Sequence, residues 1–351
     1  MAETPPGPKG EPLFGSSRTY ANDPFRFISG LEDAYGDVAY FDMGPMETVM
    51  LCDPTAIERV LVSEADSFRK PDFQGDALGD LLGDGLLLSE GETWEQQRKL
   101  ANPAFSMGRL MGLADRIPGH AEDRLDGWGD GDVVNIERVM TRTTLDVILD
   151  LMMGVELSEE RVETIEEQLM PLGQRFEPDP LRFAAPEWVP MPGDSEYGQA
   201  IDTMEGVIDG IVEERRGSEG DPETDEGPDD LLSVLLRAQA RGEQTDRQIR
   251  DEVMTMLLAG HDTTALTLTY TWYLLSQHPE MRRRVQAGVA AGVGDGRPGM
   301  ASGRGFDYID RGIKEAMRLY PPGYTVFCEP TGPVELGGSR VPEDWPPMLS
   351  Q

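Results

Sequence analysis

Apolar residues dominate the stretch from Val253 to Leu275, a run long enough for a core helix. At its centre stands the polar cluster Ala259-Gly260-His261-Asp262-Thr263-Thr264. Upstream, Thr245-Asp246-Arg247-Gln248 has the form of a capping box, in which the threonine hydroxyl and glutamine side chain satisfy backbone groups that a first turn leaves open. The helix is therefore predicted to begin there. His278-Pro279 interrupts it near Ser276, and Pro279 suits the first turn of a second helix because its missing amide hydrogen costs nothing there. An unpaired carboxylate is strongly disfavoured in an apolar interior, so Asp262 requires a partner, a solvated cavity or a chemical role.

The rest of the pattern is mostly helical. Spacing of apolar residues predicts helices over 54–62, 92–101, 107–125 and 135–153, separated by glycine turns such as Leu82-Gly83-Asp84-Gly85. A further helix, from about Tyr308 to Leu319, stops at Pro321-Pro322. Apolar residues on both sides of Gly44-Pro45 predict a β-hairpin over Val38 to Cys52, and strand-like alternation recurs from Thr325 to Val341 around Gly337-Gly338. Residues 1–15 read as an extended lead-in. Prolines 178, 180, 186, 190 and 192 forbid continuous helix over 176–192, which should be a loop shaping a pocket together with the region from Phe73 to Leu82. Residues 217–230, acidic with glycine and proline, are predicted to be a flexible loop. The expectation is a mainly α fold with a small β lobe, a single domain over 1–351.

Composition narrows the partners. A formal net charge of -34 and a pI near 4.3 argue against nucleic acid and anionic membranes, which would repel such a field. Lysine occurs only as Lys9, Lys70, Lys99 and Lys314 while acids run the whole length, a pattern expected of a halophilic protein. Cys52 and Cys328 are too few for a disulfide scaffold or zinc cluster, and no metal-ligand set is predicted. Two cysteines fit a reducing, cytoplasmic setting, and an N-terminus without the apolar segment of a signal peptide or anchor leads to the expectation of a soluble protein; a monomer is expected as well.

Three constellations carry chemistry. Gly260 removes a side chain and Thr263 can bond the carbonyl of Ala259, which together would form a notch where a flat group approaches the helix backbone. Asp262 and Thr263 beside it could pass protons to a ligand there, a hydroxyl fed from a carboxylate. Trp94 and Arg98 share a helix face, so an indole donor and a guanidinium point the same way and suit an anion. Glu315 and Arg318 have ion-pair spacing, which by itself decides nothing; their setting in Lys314-Glu315-Ala316-Met317-Arg318-Leu319-Tyr320-Pro321-Pro322 is what distinguishes them.

In this order the motifs resemble the cytochrome P-450 superfamily of haem-thiolate monooxygenases: Pro5-Pro6-Gly7-Pro8, Gly85-Leu86-Leu87-Leu88-Ser89 before Trp94-x-x-x-Arg98, the Ala-Gly-x-Asp-Thr-Thr helix, then Glu-x-x-Arg with Leu-Tyr-Pro-Pro and Pro-Val-Glu-Leu-Gly-Gly at 333–338. The resemblance implies a haem cofactor lying along Ala259 and Gly260, with a propionate held by Trp94 and Arg98. It gives Asp262 and Thr263 the protons for dioxygen and makes Glu315 with Arg318 a buried structural pair. It also implies a small organic substrate and a ferredoxin-like or flavin electron donor. The family's Phe-x-x-Gly-x-x-x-Cys-x-Gly loop, source of the thiolate, is absent from this sequence, and Cys328 lacks the glycines of that loop. A C-terminally truncated member is expected, with a non-catalytic remnant or an apolar-ligand binding protein as alternatives. His261 and His278 remain as neutral ligands, His261 more as a residue lining or capping the helix surface.

Overall fold

The computed structural model describes residues 4–175, 177–184, 189–218, 230–293, 296 and 306–350. Helices α1 (Ser17–Asn22) and α2 (Pro24–Tyr35) precede the hairpin β1 (Val38–Met43) and β2 (Met46–Leu51), followed by α3 (Pro54–Glu58), β3 (Phe68–Arg69) and α4 (Asp72–Leu82). Then come α5 (Gly91–Ala101), α6 (Met107–Leu113), α7 (Ile117–Leu125), α8 (Ile136–Ile148), α9 (Glu159–Gln174), α10 (Pro180–Ala184) and α11 (Asp194–Ser218). The run of helices closes with α12 (Leu231–Ala240), α13 (Asp246–Gln277), α14 (Pro279–Val293) and α15 (Asp307–Leu319). Five short strands end the chain: β4 (Thr325–Phe327), β5 (Glu329–Pro330), β6 (Val334–Leu336), β7 (Ser339–Val341) and β8 (Pro347–Ser350).

The chain divides into two compact units, each discontinuous in sequence. One comprises Met1–Asp80, Thr164–Thr203 and Gly323–Gln351; the other comprises Leu81–Glu163 and Met204–Pro322. In the first, a four-stranded sheet has the order β1-β2-β8-β4, with β8 parallel to β2 and antiparallel to β4. Its hairpin is in register Ala39↔Met50 and Phe41↔Thr48. Alternation along β1 sends Ala39, Phe41 and Met43 to one face, where they join Tyr20, Ile28 and Leu31 of the two leading helices and Met348 of β8. Val49, Leu51 and Leu349 serve the other face with Ala56, Val60, Leu336 and Val341. Both faces are covered, which is why β2 is buried along Thr48 to Leu51 rather than alternating.

In the second unit α13 is the central element, 32 residues long, packed against α8. The expected capping box is present: Thr245 Oγ1 accepts from the amide of Gln248 at 3.2 Å, and Gln248 Oε1 accepts from the amide of Thr245 at 2.9 Å. Every fourth residue along the helix, Ile249, Val253, Leu257, His261 and Ala265, is buried. No helix among the described residues is long and apolar enough to cross a membrane.

Several boundaries differ from the sequence expectation. The predicted helix over 107–125 is two helices, α6 and α7, the second opening with proline at its start. The segment 176–192 holds a helical turn at α10 whose first residue is Pro180, the position where proline is tolerated. Of the acidic segment 217–230, Gly217 and Ser218 end α11 and Asp230 caps α12 through the amide of Ser233; residues 219–229 lie outside the described set. The proline-rich end at 342–347 leads into β8, which sequence alternation did not reveal.

Candidate active site

The buried stripe of α13 leaves a second stripe facing outward. At 100° per residue Ala259, Thr263 and Thr267 follow one another along it, with Asp262 and Thr264 beside them, and Ala259, Asp262, Thr263 and Thr264 are all exposed. The hydroxyl of Thr263 donates to the carbonyl of Ala259 at 2.9 Å, as the sequence suggested. The habit continues along the helix, Thr264 donating to Gly260, Thr267 to Thr263 and Thr271 to Thr267. Each hydroxyl proton is thereby engaged with backbone one turn back, and the free lone pairs of Thr263 are left to accept from a ligand or a water.

Two details correct the sequence reading. His261, expected to line or cap the surface, is 1% exposed and sits in the buried stripe. Its Nδ1–H donates to the carbonyl of Leu257 at 2.7 Å, its Nε2 is enclosed without a partner, and burial pushes its pKa below the ordinary histidine value against the opposing charge of Asp262. The polar residue inside the core is thus the neutral imidazole, and the carboxylate is outside. Gly260 is the second correction. A Cβ there would stand 2.0 Å from Cδ1 of Ile148 on α8, so the missing side chain admits a neighbouring helix rather than a flat ligand. The carbonyl of His261 also accepts from Thr144 of α8 at 3.1 Å.

On α5 the expected sharing of a face by Trp94 and Arg98 is realised. Both are exposed, Trp94 by 41%, while Gln97 between them is buried and donates to the carbonyl of Asp84 at 2.7 Å. Glu315 and Arg318 of α15 form a two-pronged pair, at 2.8 Å through Nε and 2.6 Å through the second nitrogen. That hydrogen bond holds the Glu315 carboxyl below its usual range and the Arg318 guanidinium above its own. The pair is exposed, not buried as the resemblance implied, so it contributes little to stability.

A porphyrin presents apolar faces and two carboxylates. The exposed stripe of α13 fits the first, and the donors of Trp94 and Arg98, without a partner among the described residues, fit the second. Neither cysteine is set in a glycine-bearing loop of the kind the resemblance requires for an iron thiolate: Cys328 follows directly on β4 and Cys52 on β2. Burial pushes the Cys328 thiol up, and Cys52 is raised to about 11, first by burial and then by Glu32 and Asp37.

Sequence reasoning passed over Asp251 and Glu252, at the start of α13. They are 8% and 3% exposed, adjacent acids in a helix whose other buried residues are mainly apolar. That juxtaposition was the available signal. The first unit adds a cavity of about 750 Å³ lined by Asp76 and Asp80 of α4 together with Arg175, Arg182, Asp194 and Tyr197. The two regions expected to shape a pocket therefore meet around one space.

The family model for cytochrome P450 matches residues 5–345. The chain belongs to the cytochrome P450 family. Cyclooctatin synthase and cyclooctat-9-en-7-ol 5-monooxygenase, both of Streptomyces melanosporofaciens, are 29% and 28% identical to it, each over 95% of this chain and 72% of the relative. Pentalenene oxygenase of Streptomyces avermitilis is 28% identical over 98% of this chain and 75% of its own length. Among solved structures, a retinoic acid-bound cyanobacterial CYP120A1 superposes with a TM-score of 0.83 at 21% identity, covering 100% of this chain and 77% of that one. The haem domain of a cytochrome P450DA gives 0.82 at 24% identity, with the same coverage. By family the P450 chain is a haem-dependent monooxygenase, an oxidoreductase with a mainly helical fold and small β-sheets.

Proposed function

We propose that this P450 binds haem against the outward stripe of α13 and that its substrate is a small organic molecule. The reading rests on one observation: a threonine-rich stripe left exposed on a helix whose opposite side is fully buried. Trp94 Nε1–H and the Arg98 guanidinium bind the haem carboxylates, a charge-assisted contact on the arginine side. Ala259 gives the haem face a small apolar floor. Thr263, its own proton held by Ala259, accepts a proton-bearing partner at Oγ1, and Asp262 replenishes that proton from solvent. Haem, when bound, supplies the activation of dioxygen for insertion of one oxygen atom, with electrons from a ferredoxin-like or flavin donor. Both units form one catalytic domain in this reading, and the molecule works as a cytoplasmic monomer, its two cysteines free in a reducing compartment.

Reconstitution with haem tests the assignment. Arg98→Gln should weaken haem retention by about tenfold or more, the loss of one charge-assisted hydrogen bond, while leaving the helical circular dichroism unchanged. Retention equal to the parent would remove Arg98 from the site. The carbonyl complex of reconstituted chain should lack the red-shifted Soret band of thiolate ligation, because neither cysteine lies in a Phe-x-x-Gly-x-x-x-Cys-x-Gly loop. Appearance of that band would assign the ligand to a cysteine of this chain.

A further inference from the structure

The segment from Gly83 to Ser89 enters α5 directly and is fastened to α13 at several points. Asp251 Oδ2 accepts from the amide of Asp84 at 3.1 Å, and Glu252 Oε2 accepts from the amide of Leu86 at 3.3 Å. From α5, Gln97 donates to the carbonyl of Asp84 and accepts from the Ser89 hydroxyl at 2.6 Å. Two glycines allow the approach. A Cβ on Gly83, whose φ is +50°, would stand 2.3 Å from the Asp251 carboxyl, and one on Gly85 would stand 2.1 Å from Thr255 Oγ1.

The clasp is nevertheless incomplete. Glu252 Oε1 and Thr255 Oγ1, three residues apart on the same helix, are both buried without a hydrogen-bond partner among the described residues. A buried ionised carboxylate carries a desolvation cost that the single amide of Leu86 does not offset, and protonating Glu252 while the loop covers it removes that cost.

We propose that Asp251 and Glu252 are positioning residues that clasp the 83–89 loop to α13 and thereby set the orientation of α5, and that protonation of Glu252 tightens the clasp. The relevance to haem rests on the proposed roles of Trp94 and Arg98; the clasp itself does not. Burial dominates the titration of Glu252 and, with a smaller contribution from Asp251, pushes it up to about 7 against the lowering effect of the Leu86 amide. Asp251 is also raised, by burial first, with Arg247 and Arg250 opposing and Asp84 reinforcing. The loop brings Asp84, and α5 brings the uncharged Gln97.

The sign follows from linkage. In the opened loop Glu252 titrates near its ordinary 4.5, and in the closed one near 7, so the closed state holds its proton more tightly. Closure strengthens as pH falls from about 7 to 4.5, by up to about tenfold per pH unit for a single proton, and is flat above 7.

Amide hydrogen exchange of the full chain without haem, corrected for the intrinsic pH dependence of exchange, measures this at Asp84 and Leu86. The expected result is protection that rises on acidification across that window, while amides of α12 do not follow it. Glu252→Gln, which carries no charge, should hold the acid-side protection at every pH, and Asp251→Asn should lower protection at Asp84 without abolishing the pH dependence at Leu86. A flat wild-type profile, or a Glu252→Gln profile that tracks the wild type, would overturn the proposal. Should the variant fail to fold, the wild-type profile at Leu86 against that of α12 still decides. Haem retention by the parent at both ends of the window separates failure of the clasp from failure of the haem site, since the first can fail while haem binds normally.

Discussion

His261 and Asp262 are neighbours with opposite surroundings, and the contrast sets what each can do. The imidazole spends one nitrogen on Leu257 and leaves the other enclosed, so the neutral form is favoured. Because its folded pKa lies below the ordinary 6.5, the unfolded chain takes up the proton first, and stability is lost as pH falls below about 6.5. Replacing it with leucine should flatten that acid limb in a denaturant titration series, with a change at neutral pH of about 1 kcal/mol, since the lost hydrogen bond and the removed orphan nitrogen offset each other. An acid limb unchanged in His261→Leu would locate the destabilisation elsewhere. Asp262, exposed and without a hydrogen-bond partner among the described residues, faces the water from which protons are drawn. If Thr263 receives them, Thr263→Ala in a functional assembly should divert electrons from product into peroxide or water. Thr263→Ser should restore coupling, and full coupling in the alanine variant would remove the hydroxyl from the path.

The element that carries this arrangement is α13, and its rotation is fixed by α8. Contact at Gly260 and the bond from Thr144 to the carbonyl of His261 hold the two helices at close range. Gly260→Ala should cost about 1–3 kcal/mol, the usual penalty of overpacking, and Ile148→Val in the same chain should recover much of it because the clashing Cδ1 is removed. A double variant no more stable than Gly260→Ala would show that the two side chains do not meet. Much at this scale was legible from sequence. The capping box at Thr245, the stop at His278-Pro279 and the hairpin about Gly44-Pro45 are local signals, and each marks a boundary that the structure keeps. The long α11 was not read, because glycines and acids are scattered through it and its buried side chains, such as Ile208 and Ile211, are spaced among them. The strand β8 was hidden in prolines, and its partner β2 lies almost the whole chain away.

At the scale of the molecule, charge is the dominant property. A net charge of -34 stores self-repulsion that favours expansion of the chain, and ions at about 1 M reduce its range to about 3 Å. Thermal unfolding should therefore shift upward from low to molar salt, more than in a variant with several surface acids replaced by glutamine. A midpoint that does not move would remove the halophilic reading. Exposed pairs such as Glu315 with Arg318 work in the opposite direction but are individually weak in salt, so repulsion should win.

The sequence by itself determined the helices with strong caps, the hairpin, the charge and the family, because those are properties of local spacing and composition. It also named Trp94, Arg98, Asp262 and Thr263. Tertiary structure alone decided which way they face. A helix turns 100° at each residue, so its sequence defines stripes but not which stripe is buried. That choice was made by Ile148 and Thr144 on a helix more than a hundred residues away, which put His261 inside and left Thr263 outside.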